Sequence, residues 1–131
     1  MRGTSEAAAL LQRELGNWWL DDRRHWCAYC GIPMRRRFGP GRTLPNTKAT
    51  RDHVVPKAHG SGGLTIPACL GCNRSKGALS LAEFLCSSHF AEVRRQRHRN
   101  KWSVRDLWLA SALASLQQAE KVTDPNDVAR A

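Results

Sequence analysis

Cys69-Leu70-Gly71-Cys72-Asn73-Arg74-Ser75-Lys76-Gly77 decides the architecture, together with its shorter counterpart Cys27-Ala28-Tyr29-Cys30. Each segment carries a Cys-x-x-Cys pair, and residues 31–68 lie between the pairs. That inner spacing lets two thiolates grip one tetrahedral ion, so the two pairs together supply four ligands. Soft thiolates select zinc over magnesium or calcium, and a fully protein-ligated ion has no position left for substrate. Cys27, Cys30, Cys69 and Cys72 therefore predict a structural zinc that staples two remote segments. A redox reading of Cys-x-x-Cys needs a βαβ setting, which the flanking sequence lacks. The fifth cysteine, Cys86, stands beside Phe84 and Leu85 and is expected to be buried packing rather than a ligand.

Working outward, Ala49 to Pro56 contains the apolar, β-branched pair Val54-Val55 and is stopped by Pro56, which predicts a strand. Gly60-Ser61-Gly62-Gly63 turns the chain, and Leu64-Thr65-Ile66 returns it as an antiparallel partner. The second cysteine pair then opens a short helix that Gly77 can end. Before this unit, Leu10, Leu11, Leu15, Trp18 and Trp19 recur at helical spacing from Thr4 to Asp21. The tryptophans are read as core packing. After it, Ser80 with Glu83 forms a capping box before Leu81, Phe84, Leu85 and Val93, and Ser103 with Asp106 opens a last helix. The expectation is a small α+β single domain over residues 1–131. It has an N-terminal helix in 1–22, a zinc-stapled core in 26–78, C-terminal helices in 80–122 and a frayed tail in 123–131.

Lys plus Arg number 21 against 11 Asp plus Glu, a formal +10. Four thiolates and one Zn²⁺ would change this by −2, to +8, leaving a strongly basic chain. Such a surface points to a polyanionic partner, with nucleic acid the default. The odd cysteine count and tight pairs suit a reducing compartment, so a cytoplasmic protein is expected. No apolar signal region or run long enough to span a bilayer is visible, so no membrane partner is expected.

The segment Arg51-Asp52-His53-Val54-Val55-Pro56, then Gly62-Gly63, then Cys69-x-x-Cys72-Asn73-x-x-Lys76 resembles the HNH nuclease family. That family's recurrent pattern is Asp-His-x-x-Pro, a Gly-Gly turn and Cys-x-x-Cys-Asn-x-x-Lys. The resemblance covers Cys27 to Gly77. It implies a ββα-metal core, a structural zinc held by four cysteines, His53 as general base, and Asp52 with Asn73 as ligands of a catalytic divalent cation such as Mg²⁺. It also associates the chain with phage or mobile-element settings.

The residue types suit that chemistry independently. Phosphodiester hydrolysis needs an activated water and stabilisation of developing negative charge. A neutral imidazole can take a proton from water near neutral pH, and a carboxylate with an amide oxygen suits a hard cation. Strand alternation turns Asp52 and His53 to opposite faces unless the strand ends or twists there. The chain departs from the family at Leu64, where an asparagine usually orients the loop that carries the histidine. Backbone contacts or another side chain must then orient it.

DNA is the expected substrate, with RNA an open alternative. The backbone would be tracked by Arg35, Arg36 and Arg37, by Arg51, Lys57 and Lys76, and by Arg94 and Arg95, with salt-sensitive affinity. His59 could add a ligand or a phosphate donor, although an exposed loop histidine is the plainer reading. A non-catalytic zinc-ribbon module that binds nucleic acid is the alternative, and a protein-binding adaptor explains neither Asp52-His53 nor Asn73.

Overall fold

A computed structural model describes residues 5–35, 45–55, 63–96 and 100–122. Helix α1 (Glu6–Leu15) begins at Ser5, whose hydroxyl accepts from the Ala8 N–H at 3.1 Å. It buries Ala8 and Leu15 and packs along the terminal helix α5 (Val104–Val122).

The sequence predicts this first helix to continue to Asp21, but it stops at Gly16, where φ is +77°. The end is reinforced from both sides. Arg23 Nη2 donates to the Leu15 carbonyl at 2.8 Å and the Gln12 amide to the Gly16 carbonyl at 3.2 Å, so helix-end acceptors have side-chain donors. Two short 3-10 turns follow, Trp18–Leu20 and Asp22–His25. A Cβ at Gly16 would lie 3.2 Å from Arg23 Nη2, on a backbone that L-residues avoid. Gly16→Ala is therefore expected to cost about 1–2 kcal/mol in denaturant unfolding; an unchanged midpoint would refute that account of the helix end.

Strand β1 (Ala49–His53) pairs antiparallel with β2 (Thr65–Cys69), with Ala49 opposite Cys69 and Asp52 opposite Ile66. Pro67 lies within β2, and its carbonyl accepts from the Ala28 N–H at 2.9 Å. The first cysteine knuckle thus covers part of the hairpin edge. Helix α2 (Leu70–Lys76) follows β2 without a linker and ends, as expected, at Gly77, with φ +53°.

The Ser80–Glu83 capping box is present and opens α3 (Leu81–Leu85). The sequence predicts one helix over Leu81–Arg94, but it breaks after Leu85, and α4 (Ser88–Gln96) restarts with Ser87 Oγ accepting from the Phe90 N–H at 3.1 Å. The break also leaves Cys86 exposed rather than buried, because it ends α3 instead of lying on a packed face. At α5, Ser103 and Asp106 cap one another reciprocally, at 2.9 and 3.2 Å.

The core joins Tyr29, Ile66, Phe84, Trp102, Leu107 and Leu113 across the knuckle, hairpin and helices. Among the described residues, no helix is long and apolar enough to cross a membrane.

Candidate metal centre and the strand–helix junction

The knuckle and the β2–α2 corner converge as the cysteine spacing requires. The sulfurs of Cys27, Cys30, Cys69 and Cys72 all lie within 4.8 Å of one another, and all four residues are buried. Cys30 Sγ and Cys69 Sγ are 3.8 Å apart. A tetrahedron with Zn–S arms of about 2.3 Å has edges of about 3.8 Å, so the cage has the dimensions of a zinc site.

Electrostatics agree with the geometry. Burial, together with the neighbouring sulfurs, pushes the Cys27 thiol well above its ordinary range; contacts with the other three thiols push Cys72 up. Hydrogen bonds from neighbouring thiols, Cys27 foremost, hold Cys30 and Cys69 down. Four adjacent sulfurs cannot all ionise without a cation between them, and a divalent ion removes the conflict. The four cysteines form a possible metal site consistent with zinc.

A second constellation lies between β1 and α2. Thr50 and Asp52 share one strand face, and Asn73 and Lys76 share one helix face, as periods of two and three to four dictate. They meet in register. Asn73 Nδ2 donates to Thr50 Oγ1 at 3.0 Å, and Thr50 Oγ1 donates to the Ala68 carbonyl at 2.6 Å. Lys76 Nζ lies 3.2 Å from Asp52 Oδ2 and 3.4 Å from Oδ1, and donates to the His53 carbonyl at 3.0 Å. The Tyr29 hydroxyl donates to Asp52 Oδ2 as well.

Burial raises the Asp52 carboxyl above the ordinary carboxylate range, opposed by the Tyr29 hydrogen bond and the Lys76 charge. Tyr29 is pushed well up by burial and by Asp52, which keeps its phenol a donor. Since Tyr29 lies between Cys27 and Cys30, the knuckle and the carboxylate are mechanically linked.

These contacts change the roles expected from sequence. Lys76 is 1% exposed with its ammonium on Asp52 and the His53 carbonyl, so as placed it does not reach a phosphate backbone. Arg94 is withdrawn from the nucleic-acid contacts for a similar reason. Its Nη2 donates to the Ala28 and Trp102 carbonyls at 2.9 and 2.8 Å, and its guanidinium stacks 5.4 Å from the Phe90 ring centre. Arg35 and Arg51 are exposed, and exposed Arg95 pairs with Glu92. Arg36, Arg37, Lys57 and His59 lie outside the described residues.

The catalytic-cation expectation also meets an obstacle. Asp52 is only 4% exposed and already holds an ammonium, whereas a catalytic Mg²⁺ needs close carboxylate oxygens, retained waters and access to phosphate. As placed, Asp52 and Asn73 do not fit that ion. His53 is different: the residue is half-buried, alternation puts its side chain on the opposite strand face from Asp52, and no side-chain hydrogen bond engages it among the described residues.

The end of β1 at His53 is held by one backbone contact and one side chain. The Leu64 carbonyl accepts from the Val54 N–H at 3.0 Å, while Lys76 holds the His53 carbonyl. Sequence reasoning missed Thr50 and Tyr29. Thr50 was accessible through its i, i+2 relation to Asp52, but no local signal marks Tyr29 as the partner of a carboxylate 23 residues away.

Comparison with family models, with curated proteins and with solved structures finds no match to this chain, so function rests on the site itself.

Proposed function

We propose that the chain is an HNH-type nuclease that hydrolyses phosphodiester bonds in DNA, with His53 as general base. The bond from the Lys76 ammonium to the His53 carbonyl carries the reading. It fixes the backbone that bears the imidazole, on a hairpin tied to the cysteine cage through Cys69 and Tyr29. A base held to a fraction of an ångström is what proton abstraction from an attacking water requires. Exposed Arg51, two residues back on the same strand face, offers positive charge for the phosphate.

The cation implied at Asp52 and Asn73 could enter only if Lys76 released Asp52, and the base role of His53 does not depend on it. A non-hydrolytic nucleic-acid-binding module is the second reading. It is favoured by one observation: the Asp52–Lys76 pair accounts for both residues structurally, without chemistry.

Nicking of supercoiled plasmid separates the readings. His53→Ala is expected to slow nicking by about 10²- to 10⁴-fold while retaining its zinc. Undiminished nicking would remove His53 from the base role, and binding without nicking by the natural chain would establish the module. Strict dependence on added Mg²⁺ or Mn²⁺ would show that a divalent cation takes part in the reaction.

A further inference from the structure

A cleft of about 320 Å³ opens between the 3-10 turns and the hairpin, lined by Trp18, Trp19, Arg24, Met34, Arg51 and Pro67 among others. Its size is at the small end of ligand clefts, suited to one planar group rather than a duplex. Trp19 is 45% exposed, large for an indole, yet it is not loosely placed. Its ring stands edge-on to Trp18 at 5.8 Å, and Trp18 packs against fully buried Trp102 at 6.0 Å. The wall is thus a rigid aromatic surface backed by the core.

The cations at the rim are placed as well. Arg24 Nε donates to His25 at 3.0 Å and Nη1 to the Trp19 backbone carbonyl at 3.4 Å, which ties its guanidinium to the turn that carries Trp19, and both residues line the cleft. Arg51 projects from β1 and is exposed. It shares a strand face with His53, at a separation of about 6.6–6.8 Å along the strand.

We infer that this cleft receives the base of an unpaired nucleotide, stacked on Trp19, with the adjoining phosphate between Arg24 and Arg51. An aromatic platform with guanidinium neighbours is the physical recipe for sequence-tolerant binding of single strands, because every base has a π-face. The formal +10 charge of the chain supplies the complementary field. The inference deepens the nuclease reading and rests on it for the outcome at His53. An unpaired base in the cleft would bring its phosphodiester toward the imidazole, making single-stranded, branched or flipped-out substrate the preferred class.

Fluorescence anisotropy tests this, using zinc-loaded His53→Ala protein and labelled single-stranded DNA, single-stranded RNA of the same sequence, and duplex DNA at one salt concentration. Adding Trp19→Ala is expected to weaken single-strand binding about tenfold, while Trp19→Phe retains most of it and duplex binding barely changes. DNA and RNA arms that respond alike identify base and phosphate as the recognised chemistry, and a response in only one arm identifies which strand the cleft takes. Unchanged single-strand affinity, or equal loss on single strand and duplex, would overturn the cleft. Should Trp19→Ala fail to fold, Trp19→Leu, which keeps an apolar side chain but no π-face, carries the same comparison, and an unchanged single-strand preference overturns the inference. Nicking by the natural chain with no effect of Trp19 sinks the cleft alone. A Trp19 effect without nicking sinks the nuclease reading alone.

Discussion

Cys69→Ser is expected to lose bound zinc and most of the cooperative fold, because one residue serves three structures at once. It supplies a sulfur to the cage, ends β2 opposite Ala49, and caps α2 through Sγ, 3.4 Å from the Cys72 N–H. Apparent zinc affinities in finger peptides amount to about 10 kcal/mol or more, comparable with the whole stability of a small domain at about 5–15 kcal/mol. Removing a ligand should therefore unfold the junction rather than loosen it. Elemental analysis should find one zinc per natural chain and markedly less in the variant, with loss of the cooperative transition on thermal melting. Strong chelation should reproduce that loss. Acidification should do so too, since protons compete with the metal for the thiolates. Full zinc content with an unchanged melting curve in Cys69→Ser would contradict the cage.

The next largest effect is expected at Lys76. Lys76→Met leaves the Asp52 carboxylate buried beside Tyr29 without its counter-charge, a change that typically costs about 3–5 kcal/mol. It also removes the donor to the His53 carbonyl. Combining it with Asp52→Asn should recover much of the loss, because the buried charge is then gone while the Tyr29 hydroxyl keeps an oxygen acceptor. Chemical denaturation of the zinc-loaded proteins measures both. The pH dependence has a definite sign. Burial already raises the Asp52 carboxyl, and in the single variant the folded state gains further by binding the proton. The deficit relative to the natural chain should therefore shrink as pH falls toward that raised value and be full at neutral pH. A deficit under about 1 kcal/mol, or none recovered by the double variant, would mean that the two residues are not a buried, mutually dependent unit.

The same contacts explain why the motif was legible while part of its meaning was not. Asp52, His53, Asn73 and Lys76 stand out by type and spacing, and the fold brings Asp52, Asn73 and Lys76 to one strand–helix junction, where His53 contributes its backbone carbonyl while its ring lies on the other strand face. Alternation separates Asp52 from His53 but does not say which of the two faces α2. The structure turns Asp52 inward onto Tyr29 and Lys76, which makes the carboxylate a clamp and leaves His53 half-buried. Arg94 illustrates the same limit. It sits in a run of cations read from the sequence as tracking a phosphate backbone, yet it ties the knuckle carbonyl of Ala28 to that of Trp102. Trp19 shows the converse: helical spacing placed it in a core, but the break at Gly16 rotates it out to the wall of a cleft.

Ligand spacing, strand order and helix caps were fixed by short-range stereochemistry. Two cysteines three apart can share an ion, and Ser80–Glu83 and Ser103–Asp106 satisfy the first N–H groups of whatever helix follows; the antiparallel pairing was legible too, although β1 ends at His53, before Val54-Val55, and most of the predicted glycine turn lies outside the described residues. Such features depend on neighbours within a few residues, so they can be read from the chain alone. Which side chains are dry, which charges neutralise each other and which aromatic ring meets solvent were decided only when distant segments packed. These outcomes follow from desolvation and long-range pairing, and no local pattern encodes where residue 29 will meet residue 52.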